Sequence, residues 1–187
     1  MADDKLRQAT SAVIRLERET DLPSIRDLTT AAFAGSEFGH HGEADLIEQI
    51  RKACPESLSL VAELDGRIAG HILFSPAQIV GESASVMGMA LAPMSVLPEF
   101  QRQGIGTRLV RTGLDLLAER GIGWVAVLGH PSFCQRFGFE PAGRYGISCE
   151  FPGIPDDVFR VTWLSGDDTE LPQGVVKYRP EFSEMLD

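Results

Sequence analysis

The chain is 187 residues long, 43% hydrophobic and 24% charged, which fits one globular domain able to bury about two-thirds of its unfolded surface. Lys+Arg 17 against Asp+Glu 27 gives a net charge of −10, which argues against nucleic acid or an anionic membrane as partner and suits a cationic one. The opening residues lack the apolar core of a secretory signal and no run of 18 apolar residues occurs. Cys54, Cys134 and Cys149 form an odd set without CxxC spacing, so a cytoplasmic setting is expected, with no membrane span, disulfide framework or metal site.

In chain order, residues 1–12 read as a flexible tail and 13–187 as a single domain. Val13–Glu17 alternates as a short strand. Thr20 or Asp21 can cap a helix with Pro23 in its first turn, which carries Leu22, Ile25, Leu28, Ala32 and Phe33 on one face and fades at Gly35. A loop, Gly35–Gly42, holds Glu37, His40 and His41. A second helix runs from Glu43 to about Ala53 and stops at Pro55. Leu58–Leu64 and Arg67–Phe74 flank Asp65-Gly66, a two-residue hairpin signal. A looser turn at Val80–Ser83 leads into a third strand, Ala84–Leu97.

After Pro98 the sequence Glu99-Phe100-Gln101-Arg102-Gln103-Gly104-Ile105-Gly106-Thr107 opens a helix whose apolar rows are Ile105, Leu109, Thr112, Leu116 and Val110, Gly113, Leu117. A helix start leaves backbone N–H groups without intrahelical partners, at the positive end of the dipole. Gly104 and Gly106 remove the side chains that would hold an anion away, so this is a candidate phosphate cradle, with Arg102 and Arg108 on its flanks. A P-loop would need a lysine after the glycine, and the dinucleotide fingerprint a third glycine where Leu109 stands. A Gly-x-Gly here is also what a tight turn alone would use. Gly121 ends the helix, and Trp124–Leu128 is a strand apolar throughout. Strand, cradle, helix and strand form a crossover unit. Beyond it, Pro131–Arg136 reads as a short helix, and Val158–Leu164 and Gly174–Tyr178 as late strands.

Gln101-Arg102-Gln103-Gly104-Ile105-Gly106 is similar to the Gln/Arg-x-x-Gly-x-Gly/Ala signature of the GNAT superfamily of N-acetyltransferases. Phe133-Cys134-Gln135-Arg136-Phe137-Gly138-Phe139 resembles that family's late Tyr-x-x-x-Gly-Phe motif. Leu91–Gly106 with His130–Pro141 resembles a bacterial subfamily known as predicted acetyltransferases. The resemblance implies an α+β fold: a mixed, mostly antiparallel central sheet of about seven strands flanked by helices in three layers, α/β/α. It also implies acetyl-CoA as co-substrate, its pantetheine on the backbone of Met94, Ser95 and Val96. The pyrophosphate would rest on Arg102, Gln103, Gly104, Ile105, Gly106 and Thr107. A small-molecule or peptide amine would enter near Gly35–Gly42 and take the acetyl group by direct attack in a ternary complex. A homodimer is left open.

Such chemistry needs a neutral amine, a polarised thioester carbonyl and a proton for the departing thiolate. The tyrosine that often donates that proton is matched here by Cys134, and the position where many relatives carry a glutamate base is Ala90. Cys134 reads equally as a small packed residue. His71 lies in a strand, where packing is the plainer reading, and His130 follows the buried strand at its C-terminal end. Glu37 and Glu43 can attract a cation, although Glu43 also suits a helix N-terminus. Two alternatives stay open: an acyl-CoA-binding module of the same fold without turnover, and a mechanism with Cys134 as nucleophile.

Overall fold

The computed structural model describes residues 12–34, 42–164 and 173–186. Of the expected tail only Ala12 is among them, and it is buried; Glu37, His40 and His41 lie outside the described residues. The nine strands among those residues, β1 (Val13–Leu16), β2 (Leu58–Leu64), β3 (Arg67–Val80), β4 (Ser85–Val96), β5 (Trp124–Leu128), β6 (Glu140–Pro141), β7 (Ile147–Cys149), β8 (Phe159–Trp163) and β9 (Gly174–Lys177), form one sheet in the order β1-β2-β3-β4-β5-β8-β6, with β9 pairing β3 and β7. Contacts divide the chain into two compact units, Met1–Leu73 with Pro93–Gly113 and Glu181–Asp187, and Phe74–Ala92 with Leu114–Pro180.

In the first unit β1 (Val13–Leu16) lies antiparallel to β2 (Leu58–Leu64), from Val13↔Glu63 to Leu16↔Leu60. β2 turns into β3 (Arg67–Val80) through Asp65 and Gly66, at φ +49 and +76, the backbone that a type I′ hairpin demands. Helices α1 (Leu22–Phe33) and α2 (Glu43–Ala53) bury Ile25 and Leu28, and Leu46, Ile47 and Ile50. Asp21 precedes α1 but makes no side-chain cap bond. Its carboxylate instead accepts from the Arg18 N–H at 2.7 Å and from Arg15, closing the 3-10 turn Glu19–Asp21. The last residues of β4 (Ser85–Val96), a 3-10 turn at Pro98–Phe100 and the start of α3 (Ile105–Glu119) complete the unit.

In the second unit Gly81 N–H donates to Ala84 O at 2.9 Å, folding β3 back into β4. β4 runs parallel to β5 (Trp124–Leu128) over Met89↔Val125 to Leu91↔Val127. β5 pairs antiparallel with β8 (Phe159–Trp163), from Trp124↔Trp163 to Leu128↔Phe159. Ile79, Ala90, Trp124, Ala126, Phe159, Val161 and Val176 form the core. α3 ends as its sequence indicates: Gly121 takes φ +76, and Ile122 N–H reaches back to Leu117 O at 3.0 Å.

Five elements depart from the sequence reading. β3 continues six residues past Phe74, through Pro76; its pairing with β9 (Gly174–Lys177) begins only at Gln78↔Lys177, so the proline withholds no donor from that ladder. β6 (Glu140–Pro141) and β7 (Ile147–Cys149) are too short to display alternation, and they raise the strand count among the described residues to nine. The short helix expected at Pro131–Arg136 divides into α4 (Pro131–Cys134) and a 3-10 turn at Gln135–Phe137, and a helix α5 (Glu181–Leu186) follows β9.

Candidate active site

The cradle lies in the first unit, where Gly104 O accepts from Arg108 N–H at 3.1 Å and opens α3. The amides of Ile105, Gly106 and Thr107 fall in the first turn, without intrahelical acceptors. Gly104 stands at φ +90, and a Cβ built on it would meet nothing within 4 Å. Arg102 is also left-handed, at φ +58, uncommon for a residue with a side chain. Two glutamines hold this backbone. Gln101 Nε2 donates to Val96 O at 3.0 Å, and Gln103 Nε2 to Glu99 O at 2.7 Å. The helix is drawn onto the sheet at Gly70, where an added Cβ would stand 3.0 Å from side-chain carbons of both Ile105 and Leu109.

The strand leading to the cradle presents alternating peptide groups. Leu97 N–H donates across to Ala69 O of β3 at 3.0 Å, so the N–H groups of Met94 and Val96 turn to the opposite side. The register with β5 ends at Leu91, whereas β4 continues to Val96. Ser95 differs from its two neighbours: it is 3% exposed, and its hydroxyl lies 3.2 Å from that of Thr29 on α1. Sequence reading grouped the three residues; strand alternation separates Ser95, which fastens β4 to α1.

His71 is fully buried in the first unit. Its Nε2 is 2.8 Å from Ser59 Oγ and 3.6 Å from Glu17 Oε2, and Ser59 Oγ in turn bonds Glu17. Arg51 of α2 grips the same carboxylate with two nitrogens. Burial, the largest single influence on Glu17, favours the neutral acid, but contacts from His71, Arg51 and Ser59 overcome it and hold the pKa at about 2. Burial dominates at His71 and keeps the imidazole below its usual range despite Glu17, so it is neutral near pH 7. Glu43, the other acid singled out from sequence, is buried in the first turn of α2.

Cys134 and His130 belong to the second unit. α4 begins after exposed His130, whose carbonyl accepts from the amides of Phe133 and Cys134 at 3.0 Å each, and whose Nδ1 is 3.2 Å from Ser132 Oγ. Cys134 is 5% exposed and packs over Gly129, where a Cβ would come within 2.6 Å of its Sγ. Burial pushes the thiol above its usual pKa, against the opposing pull of the Arg160 and Arg136 guanidiniums. Arg160 was missed from sequence, although one arginine inside Val158–Leu164 is a visible irregularity. It is buried and spends its donors on carbonyls: Nη2 to Phe139 O at 2.8 Å, Nε to the same oxygen at 3.2 Å, and Nη1 to Asp157 O at 3.0 Å. Arg136 lies over the Phe133 ring, 4.6 Å from its centroid.

Among the described residues no group of three or more His, Cys, Asp and Glu is arranged to hold a metal ion, and no helix is long and apolar enough to cross a membrane.

The profile of the acetyltransferase (GNAT) family matches residues 22–139. The chain is 38% identical over 157 residues to the uncharacterized N-acetyltransferase YjhQ of Escherichia coli K12, covering 82% of this chain and 83% of that protein. It is 35% identical over 174 residues to the uncharacterized N-acetyltransferase YhbS of the same organism, covering 92% and 99%. The structure resembles that of Escherichia coli YhbS in complex with CoA, with a TM-score of 0.81 and 33% identity over 92% of both chains. It also resembles a GNAT family acetyltransferase from Brucella melitensis in complex with acetyl-CoA, with a TM-score of 0.75 and 35% identity over 91% and 97% of the two chains. A profile spanning more than half of the residues, two relatives aligned over most of their length and a shared mixed sheet make this chain a member of the GNAT acetyltransferase family.

Proposed function

We propose that the chain is an acetyl-CoA-dependent N-acetyltransferase that moves an acetyl group to a primary amine by direct attack in a ternary complex. The observation that carries this reading is the opening of α3: Gly104 at φ +90 with open space where its side chain would stand, ahead of three first-turn amides. The pyrophosphate of acetyl-CoA rests on the amides of Gly104, Ile105, Gly106 and Thr107, in the loop carrying Arg102 and Gln103. Met94 and Val96 offer outward N–H groups to the pantetheine, and Ser95 holds their strand in place. Relatives solved with CoA and with acetyl-CoA support this choice of co-substrate.

The neutral amine attacks the thioester carbonyl, the C–S bond breaks, and the new amide nitrogen loses a proton to water. CoA leaves as a thiolate and takes a proton. Cys134 is assigned as its donor because it stands where the family motif often carries a proton-donating tyrosine, and burial, which raises the thiol, disfavours the thiolate that a nucleophile would need. His71, closed off with Ser59 and Glu17, acts as a positioning residue between β2 and β3; His130, at the start of α4, is the exposed histidine among the described residues. The alternative of an acyl-CoA-binding module without turnover draws on Ala90, fully buried and paired with Ala126 where many relatives have a glutamate. Release of free CoA from acetyl-CoA across a panel of primary amines tests the transferase reading. Tight acetyl-CoA binding without amine-dependent release would favour the module.

A further inference from the structure

We propose that a cavity of about 300 Å³ in the second unit binds the apolar body of a primary amine, whose ammonium is taken by Asp156. The inference rests on the transferase reading and names the acceptor class for it. Cys149, Phe151, Ile154 and Phe159 give the cavity its apolar walls, and the Phe151 ring is held by Tyr178 at 5.1 Å between centroids. Asp156 is exposed, lines the cavity, and has no ion-pair partner among the described residues. Among the described residues no other charged side chain lines it, so the carboxylate disfavours an anionic ligand and is left unused by a neutral one. The volume is at the small end for ligand sites and admits one ring or a short aliphatic chain.

The position suits an acceptor. Phe159 pairs with Leu128 at the end of β5, and Gly129 N–H donates to Val158 O at 3.0 Å. The next residue, His130, starts the helix that carries Cys134. The larger hollow of the first unit, about 590 Å³, is lined by both signs of charge, Arg15, Arg18 and Arg67 with Asp21, Asp27 and Glu63, and Arg15 pairs there with Asp21 and Glu63, so it does not select a cation as a cavity lined by a single carboxylate does.

The probe is 2-phenylethylamine, titrated by NMR into the full chain with CoA present. Saturable binding is expected. Gly143 lines the cavity outside the positive-φ region, with nothing within 4 Å of an added Cβ, so Gly143→Leu projects into the space without straining the backbone. It should weaken binding at least tenfold. Asp156→Asn should weaken the amine about tenfold and leave 2-phenylethanol unchanged. Absence of saturable binding, or wild-type affinity in either folded variant, overturns the cavity assignment. Release of CoA from acetyl-CoA is followed in parallel. Turnover of other amines with no phenylethylamine binding rejects the cavity and keeps the transferase; binding without turnover of any amine does the reverse.

Discussion

The Glu17 carboxylate and the Arg51 guanidinium meet as a two-point pair, Nε to Oε1 at 2.6 Å and Nη2 to Oε2 at 2.9 Å, tying the residue after β1 to α2. Ser59 and His71 complete a cluster whose two titratable members both weaken the fold in acid. Glu17 has a folded pKa of about 2 against an ordinary 4.5, so its stabilisation is complete above 4.5 and lost as pH falls toward 2. His71 is depressed below 6.5, so the unfolded chain takes up its proton first, and stability begins to fall as pH drops past about 6.5. Thermal melts of wild type should therefore decline in two stages on acidification. His71→Gln should lose the first stage and Glu17→Gln the second. An unchanged profile in both variants would remove the cluster from the acid response.

Gly104 and Gly66 form a matched pair. Both have positive φ, +90 and +76, and both face open space. Alanine at either should cost about 1 kcal/mol of stability or somewhat more, through backbone strain alone. Only Gly104 sits in the cradle, so Gly104→Ala and Gly104→Val should weaken acetyl-CoA binding at least tenfold, about 1.4 kcal/mol, while Gly66→Ala leaves it unchanged. Calorimetric titration of the folded variants decides. Equal affinities would take the pyrophosphate off these amides.

Cys134 separates three chemistries. As a proton donor, its replacement by serine should slow turnover by about 10- to 100-fold, since water substitutes in part. As a packed residue only, Cys134→Ala should keep the rate within a few-fold and lower the melting temperature. As a nucleophile, it should carry an acetyl group when wild type meets acetyl-CoA without amine. Intact-protein mass spectrometry is expected to find no such adduct; a stoichiometric one formed as fast as turnover would overturn the donor assignment.

Gly88 on β4 lies against the indole of Trp124, where a Cβ would come within 2.3 Å of the ring. Gly88→Ala should cost about 2–3 kcal/mol, because the buried ring has nowhere to move. Pairing it with Trp124→Phe should cost less than the sum of the two single changes. Additive losses in denaturant titrations would mean that the two residues do not press on each other.

Local chemistry made much of this protein legible in its sequence. Asp65-Gly66 between two apolar runs specifies its hairpin, Gly121 ends α3, and the apolar rows after Gly104 give that helix its buried face, because each depends on residues only a few positions apart. The glycine turn that opens α3 was legible for the same reason, since its residues lie within one turn. The roles of single strand residues were not. Met94, Ser95 and Val96 are equivalent as letters, and only pairing with β3 and the approach of Thr29 from 66 residues away make Ser95 an anchor and turn the other two outward. His71 became a buried link because tertiary contacts brought Ser59 and Glu17 to its ring. Cys134 acquired a raised pKa from burial, and Arg160 a carbonyl partner in Phe139, 21 residues away. Desolvation and long-range contact set these properties, and neither is encoded in the spacing of neighbouring residues.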